Sequence, residues 1–211
     1  LNSFGNNCYS NSFGNYCSYN SFGIGCTSNS LSTYCSENNF SGNNSYNSLG
    51  ENCKGNSLGV ESRSNILDTY CYQNIFGKNC QSNILMDNCN DNTLGIYCKS
   101  NSFGSSCTSN TLGNNCEGNT FGYNCDGNNL GDSCDSNTFA DTCLYNTFGN
   151  VCTRNILGKY SSGNTFKNEC YSNELFNRCN KNTFGNHNYA NILNTDCSGN
   201  TFGNYCIFRQ H

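Results

Sequence analysis

The residues of this chain best suited to chemistry are its cysteines, 19 in 211 residues. That number could hold metal, form a disulfide framework or supply a nucleophile. Structural zinc needs four ligands gathered together, usually with cysteine pairs a few residues apart. No two cysteines here are closer than nine residues, so no metal site is expected. An odd number leaves at least one cysteine unpaired within the chain. The reading favoured here is a set of buried free thiols acting as small hydrophobes, with some disulfides as the alternative. A cysteine nucleophile would need an exposed thiol beside one of only two histidines, His187 and His211. Among the carboxylates, Asp132 and Asp141 could support glycoside hydrolysis only if a groove brought them within ~5–9.5 Å; otherwise they are solvated surface acids. The chain has no HExxH, no GxSxG and no Gly-rich phosphate loop. It is expected to be no enzyme and to need no cofactor.

What positions the cysteines is a strict nine-residue register. From Asn2, 23 repeats run to residue 208 without insertion or deletion. Asn holds the first position in every repeat, including Asn101, Asn110 and Asn119. The third is always Phe or Leu, among them Phe4, Phe13, Phe22, Leu112, Phe121 and Leu130. Gly holds the fourth in 15 repeats, and Cys the seventh in 19, including Cys107, Cys116 and Cys125. Ser or Asn replaces Cys at Asn44, Ser62, Ser161 and Asn188.

A helix would place apolar residues at i, i+3, i+4 and i+7, whereas Phe/Leu and Cys alternate at spacings of four and five. Every repeat also carries Asn and most carry Gly, both poor helix formers. In an extended segment, positions one and three face the same way and position two faces out. Gly at position four is read as a corner that tolerates positive φ, after which Cys turns inward again. Burying one Phe or Leu contributes ~1.5–3 kcal/mol, while ordering nine residues costs ~1–2 kcal/mol each. One repeat therefore cannot fold alone, and stacking must supply the rest. The sequence predicts an all-β, single-domain parallel β-solenoid over residues 2–208, with residues 209–211 as a C-terminal tail and no N-terminal cap visible. Two repeats (18 residues) per coil are preferred, with three as the alternative. Two per coil gives a rod of roughly 55 Å at ~4.8 Å per coil.

The columns outside this core vary. They hold all 14 Tyr, and those at position six are the candidate ligand contacts: Tyr16, Tyr34, Tyr70, Tyr97, Tyr160 and Tyr205. Tyr mixed with Ser, Gly and Asn is the composition of recognition loops. If the Tyr residues gather on one face, binding is favoured; if they scatter, a spacer is favoured. Position two is mostly Thr, Ser and Ile. Pairs such as Ser109–Thr111 and Ser136–Thr138 suggest an alternative function, an ice-binding face, although Tyr19, Glu37, Tyr46, Arg154 and Lys181 interrupt it. The net charge of −4 leaves no basic footprint for nucleic acid. No apolar run is long enough to span a membrane, and no signal peptide is visible.

The stretch NSFGNNCYSNSFGNYC (residues 2–17) resembles the N-[ST]-F-G-x-x-C nonapeptide-repeat arrays of gut Bacteroidales bacteria and their phages. The resemblance covers nearly the whole chain and implies a part of a surface or tail-fibre-like protein. Positions one and three also resemble the core pair of pentapeptide-repeat solenoids, but here the second segment is one residue shorter and carries Cys. Together these imply a structural or adhesive shaft at a cell surface, in the extracellular space or on a virion. Its partner would be a surface glycan or protein, and homo-oligomeric or end-to-end association is a further expectation.

Overall fold

The computed structural model describes residues 2–210; Leu1 and His211 lie outside the described residues. The chain is an all-β parallel solenoid of about 12 coils with two repeats per coil. Odd-numbered repeats build one 12-stranded sheet, and the 11 even-numbered repeats with the last strand, Ile207–Gln210, build the other. Pairing runs at intervals of 18 residues, so that Thr111 faces Asn129 and Leu112 faces Leu130. The regular strands are short, most only two residues at positions two and three. Position eight adds a second contact side, with an unbroken series of parallel bridges from Tyr9 to Tyr189 along the odd repeats. Each repeat thus contributes two short walls joined by corners.

The interior follows the sequence columns. Phe22 and Phe121 are fully buried, as are Leu130, Cys107, Cys116 and Cys125; Leu112 is nearly so, and Phe4 and Phe13 at the open first coil are half-buried. Phenylalanines on successive coils of one sheet stack face to face, Phe121 on Phe139 at 4.2 Å and 4°. The flat offset is imposed by the parallel register, which places identical rings directly above one another.

The corners differ from expectation. No Gly at position four has positive φ; the left-handed residues are at position six in every repeat and at position nine in all but the last. Most are not Gly: Asn115 has φ 59°, Ser109 57° and Tyr160 60°. Asn tolerates this region because its short amide can bond locally. Gly at position four serves close approach between coils. A Cβ on Gly122 would lie 2.7 Å from the carbonyl carbon of Gly104 on the coil below, closer than real Cβ contacts.

At the C-terminal end the register changes. Phe208 is the one position-nine residue without a left-handed corner. The chain instead continues extended through Ile207–Gln210, and Phe208 pairs opposite Asn191, with a register shift between Tyr189 and Asn191. Its ring packs 4.2 Å from Phe202 and 4.8 Å from Phe184, over the end of the aromatic column. Residues 209 and 210 are therefore part of a strand.

Candidate functional site

The invariant Asn residues form two continuous ladders, one per sheet. Taking Asn110 as the example, its Oδ1 accepts the backbone N–H of Asn92 at 2.9 Å and the Nδ2 of Asn92 at 3.2 Å. Its Nδ2 donates to the carbonyl of Cys89 at 3.1 Å and to Oδ1 of Asn128 at 3.1 Å. All four hydrogen-bonding positions of a fully buried amide are used. Asn101 and Asn119 repeat the arrangement in the even sheet. The ladder holds the corner between coils closed.

The cysteines line the other side of the core. All 19 are free: 15 are buried, and Cys8, Cys17, Cys197 and Cys206 near the ends are half-buried. Each interior thiol donates to the carbonyl of the position-four residue 21 positions earlier. The distance is 3.1 Å from Cys107 to Met86 and 3.3 Å from Cys116 to Gly95. Burial pushes the Cys35 thiol up to about 11 and the Cys179 thiol up to about 12. Such thiols are inert nucleophiles, since the thiolate is the reactive form. A thiol reagent added to the native protein is expected to consume about four equivalents quickly and all 19 only in denaturant without reductant. Rapid reaction of more than half would place the sulfurs in solvent.

The four exceptions at position seven are accommodated unequally. Asn188 accepts the N–H of Cys170 at its Oδ1 and donates its Nδ2 to the carbonyls of Lys167 and Gly185. Asn44 accepts the N–H of Cys26 at its Oδ1 at 2.8 Å, but its buried Nδ2 has no partner. An unpaired buried donor costs about 1–3 kcal/mol. Asn44→Cys is therefore expected to raise the melting temperature, and an unchanged or lower value would show that the orphan costs nothing.

The six candidate Tyr residues are all exposed and all sit at left-handed corners, with φ between 57° and 60°. They are not brought to one place. Tyr16, Tyr34, Tyr70 and Tyr160 fall on the even repeats, whereas Tyr97 and Tyr205 fall on the odd repeats, across the coil. Tyr16 stacks on Tyr34 at 5.2 Å, and Tyr205 stacks on His187 at 5.1 Å. Tyr70 and Tyr72 flank a shallow cleft of about 290 Å³ whose polar groups come from Asn52, Asn88, Asn90 and Asp91. Arg178 lies 5.6 Å from the Tyr160 ring and donates to its hydroxyl at 3.2 Å. Asp132 and Asp141 belong to opposite sheets. Each uses its Oδ1 to accept the backbone N–H of the next coil, from Asn150 and Lys159 respectively, both at 2.7 Å. They are corner braces and are not paired.

No protein-family model and no curated protein matches the chain. Among solved structures it is similar to a crystal structure of PfbA, a surface adhesin of Streptococcus pneumoniae. The identity is 9%, over 96% of this chain and 84% of that one, with a TM-score of 0.46. A second structure of that surface protein and adhesin gives 10% identity over 90% and 76%, with a TM-score of 0.31. Likenesses this slight carry no argument about function. Among the described residues, no group of three or more His, Cys, Asp or Glu is placed to hold a metal ion, and no helix is long and apolar enough to cross a membrane.

Two features escaped the sequence reading. From Asn114 onward, position five of alternate repeats is Asn114, Asp132, Asn150, Asn168, Asn186 and Asn204. The first five each accept a backbone N–H of the coil above through Oδ1, at 2.7–3.2 Å. This second ladder is visible only at a period of 18. The other feature is Phe176, a large side chain 37% exposed at a position that is usually Gly.

Proposed function

We propose that this chain is a stiff, non-enzymatic shaft or display scaffold, and that its outer columns contact surface glycan or protein. The observation that carries the reading is where Tyr is tolerated. A bulky residue in the left-handed region is strained by about 1–2 kcal/mol relative to Gly, and Asn fills the same corner in seven repeats with less penalty. Six repeats nevertheless hold an exposed Tyr there, and strain kept at an exposed position points to a contact made outside the molecule. Because the Tyr residues scatter over both sheets, the shaft is the general role and binding is local, centred on the Tyr70–Tyr72 cleft. Its two aromatic rings with amide and carboxylate neighbours suit hydroxyl-rich ligands. The repeat's likeness to bacterial and phage surface arrays supports the setting, a cell surface or virion. The test is a glycan array with wild type and a Tyr70→Asn/Tyr72→Ser double variant, both residues being native to those columns. Signals lost in the variant at unchanged melting temperature support the reading. Equal signals remove the cleft from it.

One observation favours ice binding as a second reading. In the odd sheet, position two runs Thr93, Thr111, Asn129, Thr147, Thr165, Thr183 and Thr201, a rank of hydroxyls and methyls at ~4.8 Å intervals. Beside it, Tyr145 and Lys181 rise from position-nine corners. Thermal hysteresis of the purified protein decides this, and its absence ends the reading.

A further inference from the structure

A groove on the even sheet, separate from the Tyr70–Tyr72 cleft, runs along the solenoid axis and encloses about 310 Å³. Its floor carries small residues at position four, Ala140 and then Gly158 on successive coils. One end is closed by Phe176 and the other by Tyr123, which is 57% exposed. The two rings stand three coils apart, roughly 14 Å at the coil spacing. Along one rim lie Asp141 and Lys159. Asp141 accepts the backbone N–H of Lys159 at its Oδ1 at 2.7 Å, and both side chains line the groove.

Phe176 is the feature the fold does not explain. Gly fills position four in 15 repeats without exposing apolar surface, so an outward ring there adds solvent-exposed apolar area and contributes nothing to the core. Two aromatic faces at the ends of a shallow trough, with paired charges on one edge, suit an elongated ligand that is apolar on its ring faces and rich in hydroxyls at its edges. We infer that the groove between Tyr123 and Phe176 binds a neutral oligosaccharide of two or three sugar units. The sugar faces pack on the two rings, and the hydroxyls bond to Asp141 and Lys159. An extended apolar peptide, whose amides can also pair with Asp141 and Lys159, is the competing occupant that the titration below tests. The inference deepens the proposed glycan contact and rests on that reading, but on a different surface from the Tyr70–Tyr72 cleft.

The experiment titrates the full chain with cellotriose, maltotriose, chitotriose and an extended Leu/Phe-containing peptide, using wild type, Phe176→Gly and the Tyr70→Asn/Tyr72→Ser variant. Phe176→Gly restores the common residue of its column and keeps the solenoid intact, which its melting temperature verifies. Binding of at least one trisaccharide, weakened about tenfold or more by Phe176→Gly as for loss of an aromatic anchor and retained in the Tyr70/Tyr72 variant, is the expected result. Trisaccharide binding lost only in the Tyr70/Tyr72 variant overturns the groove and leaves the proposed function standing. Peptide binding that depends on Phe176 without any sugar binding, or no binding by any probe, also overturns it.

Discussion

Replacing Asn110 by Leu is expected to destabilise the solenoid by about 2–5 kcal/mol, because the substitution orphans two buried backbone groups at once. The N–H of Asn92 bonds to Oδ1 of Asn110 and would lose its acceptor. The carbonyl of Cys89 receives the Asn110 Nδ2, and the nearby N–H of Thr108 is already committed to Oδ1 of Asn90, so that carbonyl would be stranded. The Nδ2 of Asn92 would keep its bond to Cys71, and Oδ1 of Asn128 its bond from the Asn110 backbone. Leu fills a similar volume, so the loss would be chiefly polar. An exposed position-five residue such as Asn177 supplies the control, since surface substitutions without special partners stay within ~0.5 kcal/mol. Solenoids unfold along one dimension and need not be two-state. The effect should therefore be read as hydrogen exchange too: amides of the coils bearing Asn92, Asn110 and Asn128 exchange faster, and those near Asn20 do not. Equal melting of the Asn110→Leu and Asn177→Leu variants would show that the ladder carries no stability.

The parts of this structure that were legible in the sequence are those that repeat every nine residues. Asn at position one, Phe/Leu at position three and Cys at position seven announce their inward direction because each column needs one kind of side chain at every level. Eighteen residues per coil follows from the small interior that one aromatic and one sulfur per repeat can fill. The corners were misread because Gly marks two different needs. At Gly122 it answers a close approach between coils, whereas the left-handed turns fall on Asn115, Tyr160 and even Val151, where the residue type does not advertise its φ. Features of period 18 were hidden by averaging over odd and even repeats, although the two sides carry different columns. The Asn114–Asn204 ladder braces only the odd side. On the even side the position-eight bridges stop after Tyr72, and side chains such as Asn90 and Asp126 take over the bonds to Thr108 and Leu144. The Tyr70–Tyr72 cleft and the Phe176 groove are combinations across coils, and a single repeat contains no sign of either.

Alkali should melt this protein far more sharply than its 11% of charged residues suggests. A thiol normally ionises near 9.0, whereas burial holds Cys35 up to about 11 and Cys179 up to about 12. The geometry explains the direction. Both sulfurs donate to main-chain carbonyls, Cys35 to Gly14 at 3.4 Å and Cys179 to Gly158 at 3.1 Å. A thiolate would place its charge against those oxygens in a dry interior. The folded state thus binds these two thiol protons more tightly than the unfolded state does. Below pH 9 both states are protonated and the stabilisation is fully present. Between pH 9 and about 12 the unfolded chain releases protons that the fold retains, and the stabilisation is lost as the pH climbs through the folded values. Each such proton tilts stability by ~1.4 kcal/mol per pH unit. The melting temperature should be flat from pH 7 to 8.5 and fall steeply above 9. Other alkaline groups also titrate there, so the decisive comparison is a Cys35→Ser/Cys179→Ser variant. Ser62 and Ser161 already show that Ser fits this column, with Ser161 accepting the N–H of Cys143 at 3.1 Å. Removing two protons from the linkage should make the fall above pH 9 shallower, at little cost at pH 7. An alkaline slope identical to wild type would mean that the sulfurs ionise as freely in the folded chain as in the unfolded one, and therefore that they are not shut away from water.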